Sequence, residues 1–289
     1  MPIAFFDAPD GTHVRQSFDS PTVYLDHWAI RLFSEELDLQ DRFVCSLLAK
    51  AGTLLLSHIS FSEFAALSDA RHCDQAEAFF ERLLPNIYLT DFAFDKLLQK
   101  ERGEHNNAKR FWPPADLPQL KLFVERAGSQ SSRLTMKGFV ALTHETRYQI
   151  SESTKVLKRT LVEGITAARN EAEYIAKARR INPSDNRLRT LLILGELMRS
   201  FNLDPNAPIT ENDVIDLLHA AMPVNCCDFV LLDGPWAERV EKMRHRVSKT
   251  AMEMPIASCF SQRNNGVESF LAALENFDRV ASERYAAVP

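Results

Sequence analysis

The 289-residue chain reads as an α/β protein with a parallel sheet, interrupted by a large α-helical insertion. Three observations carry that expectation. Short β-prone runs alternate with helical periodicity from Thr22 to Leu67, the grammar of parallel strands joined by crossover helices. The same alternation returns after Pro205 and Pro208. Between them, from Asp74 to Phe201, apolar residues recur at steps of three and four, so that stretch reads as helices throughout. The expected organisation is a discontinuous α/β domain, residues 20–73 and 208–289, around a basic helical segment, residues 74–207.

Each element has its own signal. Thr22-Val23-Tyr24-Leu25 is a β-prone run ending at Asp26. Ile30, Leu32, Phe33, Leu37, Phe43, Val44, Leu47 and Leu48 predict one helical stretch from Trp28 to Ala51, stopped by Gly52. Thr53 to Ser57 is a buried second strand, and Ser60 or Ser62 is positioned to cap a helix through Phe64, Ala65, Ala66 and Leu67. In the middle, Ala78 to Leu84 and Phe94 to Leu98 are helical, and Trp112-Pro113-Pro114 through Pro118 is a rigid connection. Leu157 to Ile175 predicts one long amphipathic helix, with Lys155, Lys158, Arg159, Arg169, Lys177, Arg179 and Arg180 on its solvated face. A further apolar helix spans Leu188 to Met198. Thr210 and Asp213 form a capping pair for a helix that Pro223 should end. Phe229 to Leu232 is a strand delivering Asp233, Trp236 to Val247 a helix, Met254 to Cys259 a last strand, and Val267 to Val280 a closing helix.

Composition bounds the function. Hydrophobic residues at 45% and charged residues at 25% exclude a disordered chain. No apolar run reaches the roughly 18 residues of a membrane span, so no membrane partner is expected. The N-terminus lacks a basic region before its apolar stretch, and five cysteines show no framework spacing; both favour a cytoplasmic location. The net charge of −5 conceals a division. Lys96 to Arg199 carries 20 basic and 11 acidic residues, a balance of +9, against 14 and 28, or −14, in the remainder. A basic segment of that size suits a polyanion; long solvated helices would carry similar charge without one.

The acids of the α/β parts suit metal chemistry. Asp26 and Asp233 each follow the C-terminal end of a strand, where open parallel sheets form their ligand crevice. Glu63 lies in the first turn after the second strand, and Asp213 and Asp216 lie three apart on one helix face, with His219 a turn further on. Carboxylates converging on one crevice repel unless cations sit between them, and hard oxygen donors favour Mg²⁺ or Mn²⁺. Such a cluster can hold an activated water in line with a phosphodiester.

Four ordered blocks carry a resemblance: Tyr24-Leu25-Asp26-His27-Trp28-Ala29-Ile30, Ser57 to Phe64, Asn212 to His219, and Asp228 to Asp233. Together they resemble a PIN-like nuclease domain. The resemblance covers the first 70 or so residues and 209–260, and it implies a Rossmann-like three-layer fold and metal-dependent endoribonuclease activity on single-stranded RNA, or sometimes DNA. By position, Asp26, Glu63 and Asp233 match the first, second and last acids, and Asp213 or Asp216 the third. Two departures stand out. His27 and Trp28 occupy positions where many members have Thr or Ser followed by Asn, and Gly234-Pro235 follows Asp233 in place of a basic residue.

Alternatives accompany each reading. His27 is read as a helix-start residue before an orienter of Asp26, and His219 as packing between helix and sheet before a metal ligand. Cys226-Cys227 reads as a buried strand entry, Arg244, Arg246 and Lys249 as a solvated helix end, Phe79, Phe80, Phe92 and Phe94 as core, and Phe111-Trp112 as an anchor for the Pro-rich connection. Asp228, at a strand start, is left out of the site. A Gly-rich phosphate loop and a Gly-x-Ser-x-Gly elbow are absent, and Trp28 replaces the second acid of an Asp-x-Asp phosphatase. Rival functions are a catalytically silent PIN-like module binding RNA or protein, a toxin-type nuclease with an antitoxin-like protein partner, and a DNA-directed 5′ nuclease. A homodimer is also compatible with the sequence.

Overall fold

The computed structural model describes residues 3–9, 11–57, 59–61, 63, 69–91, 93–104, 112–127, 135–179, 188–204, 206–250, 252 and 254–278. The chain opens with an antiparallel hairpin, β1 (Ile3–Ala8) and β2 (Gly11–Gln16), for which the sequence reading gave no expectation. Then follows a five-stranded sheet made of β3 (Thr22–Leu25), β4 (Thr53–Ser57), β5 (Ile87–Thr90), β6 (Phe229–Leu231) and β7 (Ser258–Phe260). Its order is β5-β4-β3-β6-β7 and every pairing is parallel. The α/β expectation therefore holds.

Alternation along the strands sends side chains to two separate cores. Val23, Leu25, Leu54, Leu56, Phe229 and Leu231 face α1 (His27–Glu35), α2 (Leu37–Ala49), α3 (Ala70–Leu83) and α13 (Gly266–Glu275). Tyr24, Leu55, Tyr88 and Val230 face α9 (Arg189–Leu197), α11 (Glu211–Cys226) and α12 (Gly234–Val247) on the other side. Helices thus cover both faces, the requirement for strands that are apolar on both sides. The chain winds outward from β3 to β5 and returns to β6, which makes the β3–β6 boundary the topological switch point.

One correction concerns the middle segment. Ile87–Thr90, expected to be helical, is the edge strand β5 and pairs with β4 from Leu54↔Ile87 to Ser57↔Thr90. Four residues closed off by Pro85 are too short a run to show a period, and burial on a sheet decides their conformation. The free edge of β5 is covered: Asp116 N–H donates to Leu89 O at 3.0 Å, and the Gln16 side chain bonds both Leu89 N–H and C=O. The other middle helices are α4 (Phe94–Glu104), α5 (Leu117–Ala127), α6 (Phe139–Glu145), α7 (Arg147–Arg169), α8 (Ala172–Arg179) and α10 (Arg199–Leu203).

Other differences have local causes. The Trp28–Ala51 helix breaks at Glu36, where the Gln40 amide reaches back to Phe33 O at 2.9 Å and satisfies the exposed helix end. The left-handed residue after α2 is Ala51 (φ 51°); Gly52 is needed because a Cβ there would lie 2.6 Å from Pro21 O. Ser57, rather than Ser60, accepts the first helical N–H after β4, from Ser60 at 3.2 Å. Phe64 to Leu67 lie outside the described residues, as do Ser62, Phe92 and Phe111. The helix expected over Leu157–Ile175 breaks at Asn170, because Arg169 turns inward to bond Phe201 O, Asp204 O and Ala207 O. α11 runs through Pro223 to Cys226; the proline forgoes only the bond to the His219 carbonyl, and close packing of the buried helix holds it. The last strand begins at Ser258, and α13 ends at Glu275.

The basic segment also spends charge internally. Arg169 and Arg189 are buried, and Arg189 and Arg199 bond to Asn225 and to Ala178 O. Arg246 pairs with Glu196 at 2.6 Å and Arg244 bonds Ala257 O, so neither is simply solvated. Cys226, Cys227, Phe79 and Phe80 are buried as expected. Among the described residues no helix is long and apolar enough to cross a membrane.

Candidate functional site

The site lies at the carboxyl ends of three adjacent strands. β3 delivers Asp26, β4 delivers Glu63 through the helical turn that follows it, and β6 delivers Asp233. Asp26 N–H donates to Leu231 O at 3.0 Å, so the β3–β6 ladder continues to the acid itself. Both aspartates are N-caps. The Asp26 carboxylate accepts from His27 N–H at 2.9 Å at the start of α1, and Asp233 accepts from Trp236 N–H at 3.0 Å at the start of α12. Two helix N-termini therefore flank the crevice, where their partial positive charge favours anions. His27 is the first residue of α1, in line with its helix-start reading.

The two candidates for the third acid part company. Asp213 Oδ2 accepts from Thr210 N–H at 2.9 Å and from the Thr210 hydroxyl at 2.6 Å, which completes the expected capping box on an exposed helix start. Asp216 sits one turn deeper and takes a hydrogen bond from the Trp236 side chain. Asp216 is the one that joins Asp26, Glu63 and Asp233 electrostatically.

The carboxyls hold protons unusually well. Burial first, then the charges of Asp216 and Asp233, raise Asp26 to about 7, although the His27 N–H opposes the rise. Burial, then Asp26 and Asp216, raise Glu63 to about 8, with Lys158 acting the other way. Asp216 rises to about 6, by burial first and then by Asp233. Glu63 keeps 27% of its side-chain surface open, yet its Oε2 is enclosed and accepts no hydrogen bond. Like charges in a desolvated crevice produce these shifts, and a bound cation would reverse them.

Three residues the sequence reading placed elsewhere belong here. His219 is buried as expected, but its Nε2 stands 3.4 Å from Glu63 Oε2 while Nδ1 bonds the Tyr24 hydroxyl. Asp26, Glu63 and His219 each offer a ligand atom, all within 4.8 Å of one another. Tyr24, two residues before Asp26 and legible in the sequence only as part of the first strand, lies on the sheet face that packs against α11. By sequence Lys158 belongs to the solvated face of its helix. It is half-buried and continues the inward stripe of Leu161, Val162, Ile165 and Ala168.

No family model, no curated protein and no solved structure matches this chain.

Proposed function

We propose that this chain is a divalent-metal-dependent endoribonuclease of PIN-like type, cleaving phosphodiester bonds of single-stranded RNA. One observation carries the reading: Asp26, Glu63 and Asp233 come from three neighbouring parallel strands, Asp26 and Glu63 meet within ligand distance beside His219, and Asp216 is coupled to them by charge, with carboxyls raised to about 7, 8 and 6 at Asp26, Glu63 and Asp216. The donors fit a hard cation: carboxylate oxygens predominate, and Glu63 Oε2 is enclosed without a hydrogen bond. Asp26, Glu63, Asp216 and Asp233 would hold Mg²⁺ or Mn²⁺. When bound, such an ion offsets charge on the scissile phosphoryl group and acidifies an attacking water.

The chain's own groups do the positioning. The Trp236 side chain positions Asp216, and Tyr24 holds the His219 ring with its Nε2 3.4 Å from Glu63 Oε2. The N-termini of α1 and α12 favour an anionic phosphate at the crevice. The test is cleavage of an end-labelled single-stranded RNA with Mn²⁺. Asp26→Asn and Glu63→Gln are expected to lower kcat by about 10²-fold or more, the scale of losing one preorganised electrostatic group. Wild-type rates in both variants overturn the assignment.

A further inference from the structure

The row of acids has a cation at each end. In sheet order the crevice runs from Glu63 beyond β4, past Asp26 and Asp233, to the segment beyond β7, which carries Arg263. Those ends lie about 14 Å apart, three strand spacings. Lys158 projects from α7, which packs on α11, the helix of Asp216. It lies on the inward side of α7, and its charge acts on both Glu63 and Asp216. Arg263 lies over Gly234, the first residue of α12. A Cβ at 234 would stand 2.5 Å from Arg263 Nε and 2.8 Å from its Cζ. The missing side chain at 234, the residue after Asp233, thus makes room for the guanidinium, whose charge also acts on Glu238 of α12.

Neither cation is pinned by a close partner, although the Arg263 charge acts on Glu238 at longer range. Among the described residues the Lys158 ammonium and the Arg263 guanidinium make no hydrogen bond or close ion pair. Arg239 differs. It is clamped by Ser200 Oγ at 2.5 Å and stacked against Phe201 and Trp236. An uncommitted lysine on the inward face of a helix is costly unless a ligand uses it, and cations at both ends of an acid row match a polyanion lying along it. We propose that Lys158 and Arg263 bind backbone phosphates on either side of the scissile bond, so that a single strand runs along the carboxyl edge of the sheet from β4 to β7. This rests on the nuclease reading above. The ligand chemistry is the phosphodiester backbone, which RNA and DNA share.

The experiment measures binding of fluorescein-labelled single-stranded RNA and DNA 20-mers by anisotropy, with Ca²⁺ present, across a salt series. Lys158→Gln and Arg263→Gln are each expected to weaken binding about fivefold at 0.1 M salt and to lower the salt slope by about 0.7, the value for one single-strand phosphate contact. Gly234→Ala leaves the Arg263 charge in place but displaces its side chain, so it should reproduce the Arg263→Gln loss. Arg159→Gln, on an exposed residue paired with Glu163, should change neither quantity. A merely structural role for the two cations would lower stability without moving the slope. Unchanged slopes in Lys158→Gln and Arg263→Gln, in a protein that still cleaves with Mn²⁺, overturn this proposal and leave the nuclease reading standing. A wild-type protein that neither binds nor cleaves either strand overturns both. Slopes lowered for RNA alone, or for both strands, support the proposal and say which backbone is taken.

Discussion

The two edges of the central sheet treat polar groups in opposite ways. At the amino edge the polar side chains of Thr22, Thr53, Asn86 and Asp228 are paired. Asp228 Oδ2 accepts from Thr22 N–H at 2.8 Å and from its hydroxyl at 2.9 Å, while Thr22 Oγ1 accepts from Asp228 N–H. Thr53 Oγ1 accepts from Asp19 N–H and its hydroxyl donates to Asp19 O, and Asn86 donates to Gly52 O at 2.7 Å. At the carboxyl edge, carboxyls crowd together and Glu63 Oε2 accepts no hydrogen bond. One edge is built for stability. The other crowds like charges that protons or a bound cation would offset, a pattern more common at binding sites than in structural polar clusters.

The largest effect expected to separate the edges is a dependence of stability on pH and on added metal. Carboxyls held above their ordinary range bind protons in the folded chain that the unfolded chain has released. The stability these three carboxyls contribute to the metal-free protein is therefore fully present below about pH 4 and is lost as pH rises to 6–8, the range of Asp216, Asp26 and Glu63. At pH 8, Mn²⁺ at a hundred times its Kd should raise Tm by about 5 °C. Scanning calorimetry should show that Glu63→Gln flattens the metal-free pH profile and loses most of the Mn²⁺ shift. A metal-free protein that grows more stable from pH 5 to 8 would break the comparison.

Asp228→Ala should do the reverse. It strands a buried Thr22 N–H and hydroxyl, costing about 2 kcal/mol in denaturant unfolding, while kcat per folded molecule and the Mn²⁺ shift stay as in the wild type. The smallest effect belongs to Asp213→Ala. Loss of the capping box costs about 1 kcal/mol, and cleavage is retained because Asp213 is engaged with Thr210. A collapse of kcat in Asp213→Ala with Asp216→Asn active would reverse the assignment of the third acid.

What the sequence revealed divides along physical lines. Strands β3, β4 and β6 announce themselves as compact apolar runs ending in punctuation, and the capping box at Thr210 is purely local, so each is legible. β5 is not, since four residues carry no period and its conformation comes from pairing with β4. The break at Glu36 has no Gly or Pro to mark it and depends on a side chain four residues on. At the site, the acids are visible because strand ends are predictable places. Lys158, Arg263 and the Tyr24–His219 contact are not, because each depends on how a distant element is laid against the crevice. Gly234 read as a departure from expectation; in three dimensions it is the space that Arg263 fills.

The pairing of β3 with β6 has a consequence for how the protein is made. Thr22 and Asp228 meet at a sequence separation of 206, so a long loop must close before Asp26 and Asp233 stand side by side. A nascent chain holding only β3, β4 and β5 has Asp26 and Glu63 without Asp216, Asp233 or Arg263. The acid row is completed only once β6 and α12 have joined β3, so a chain that stops before them carries no assembled carboxylate group.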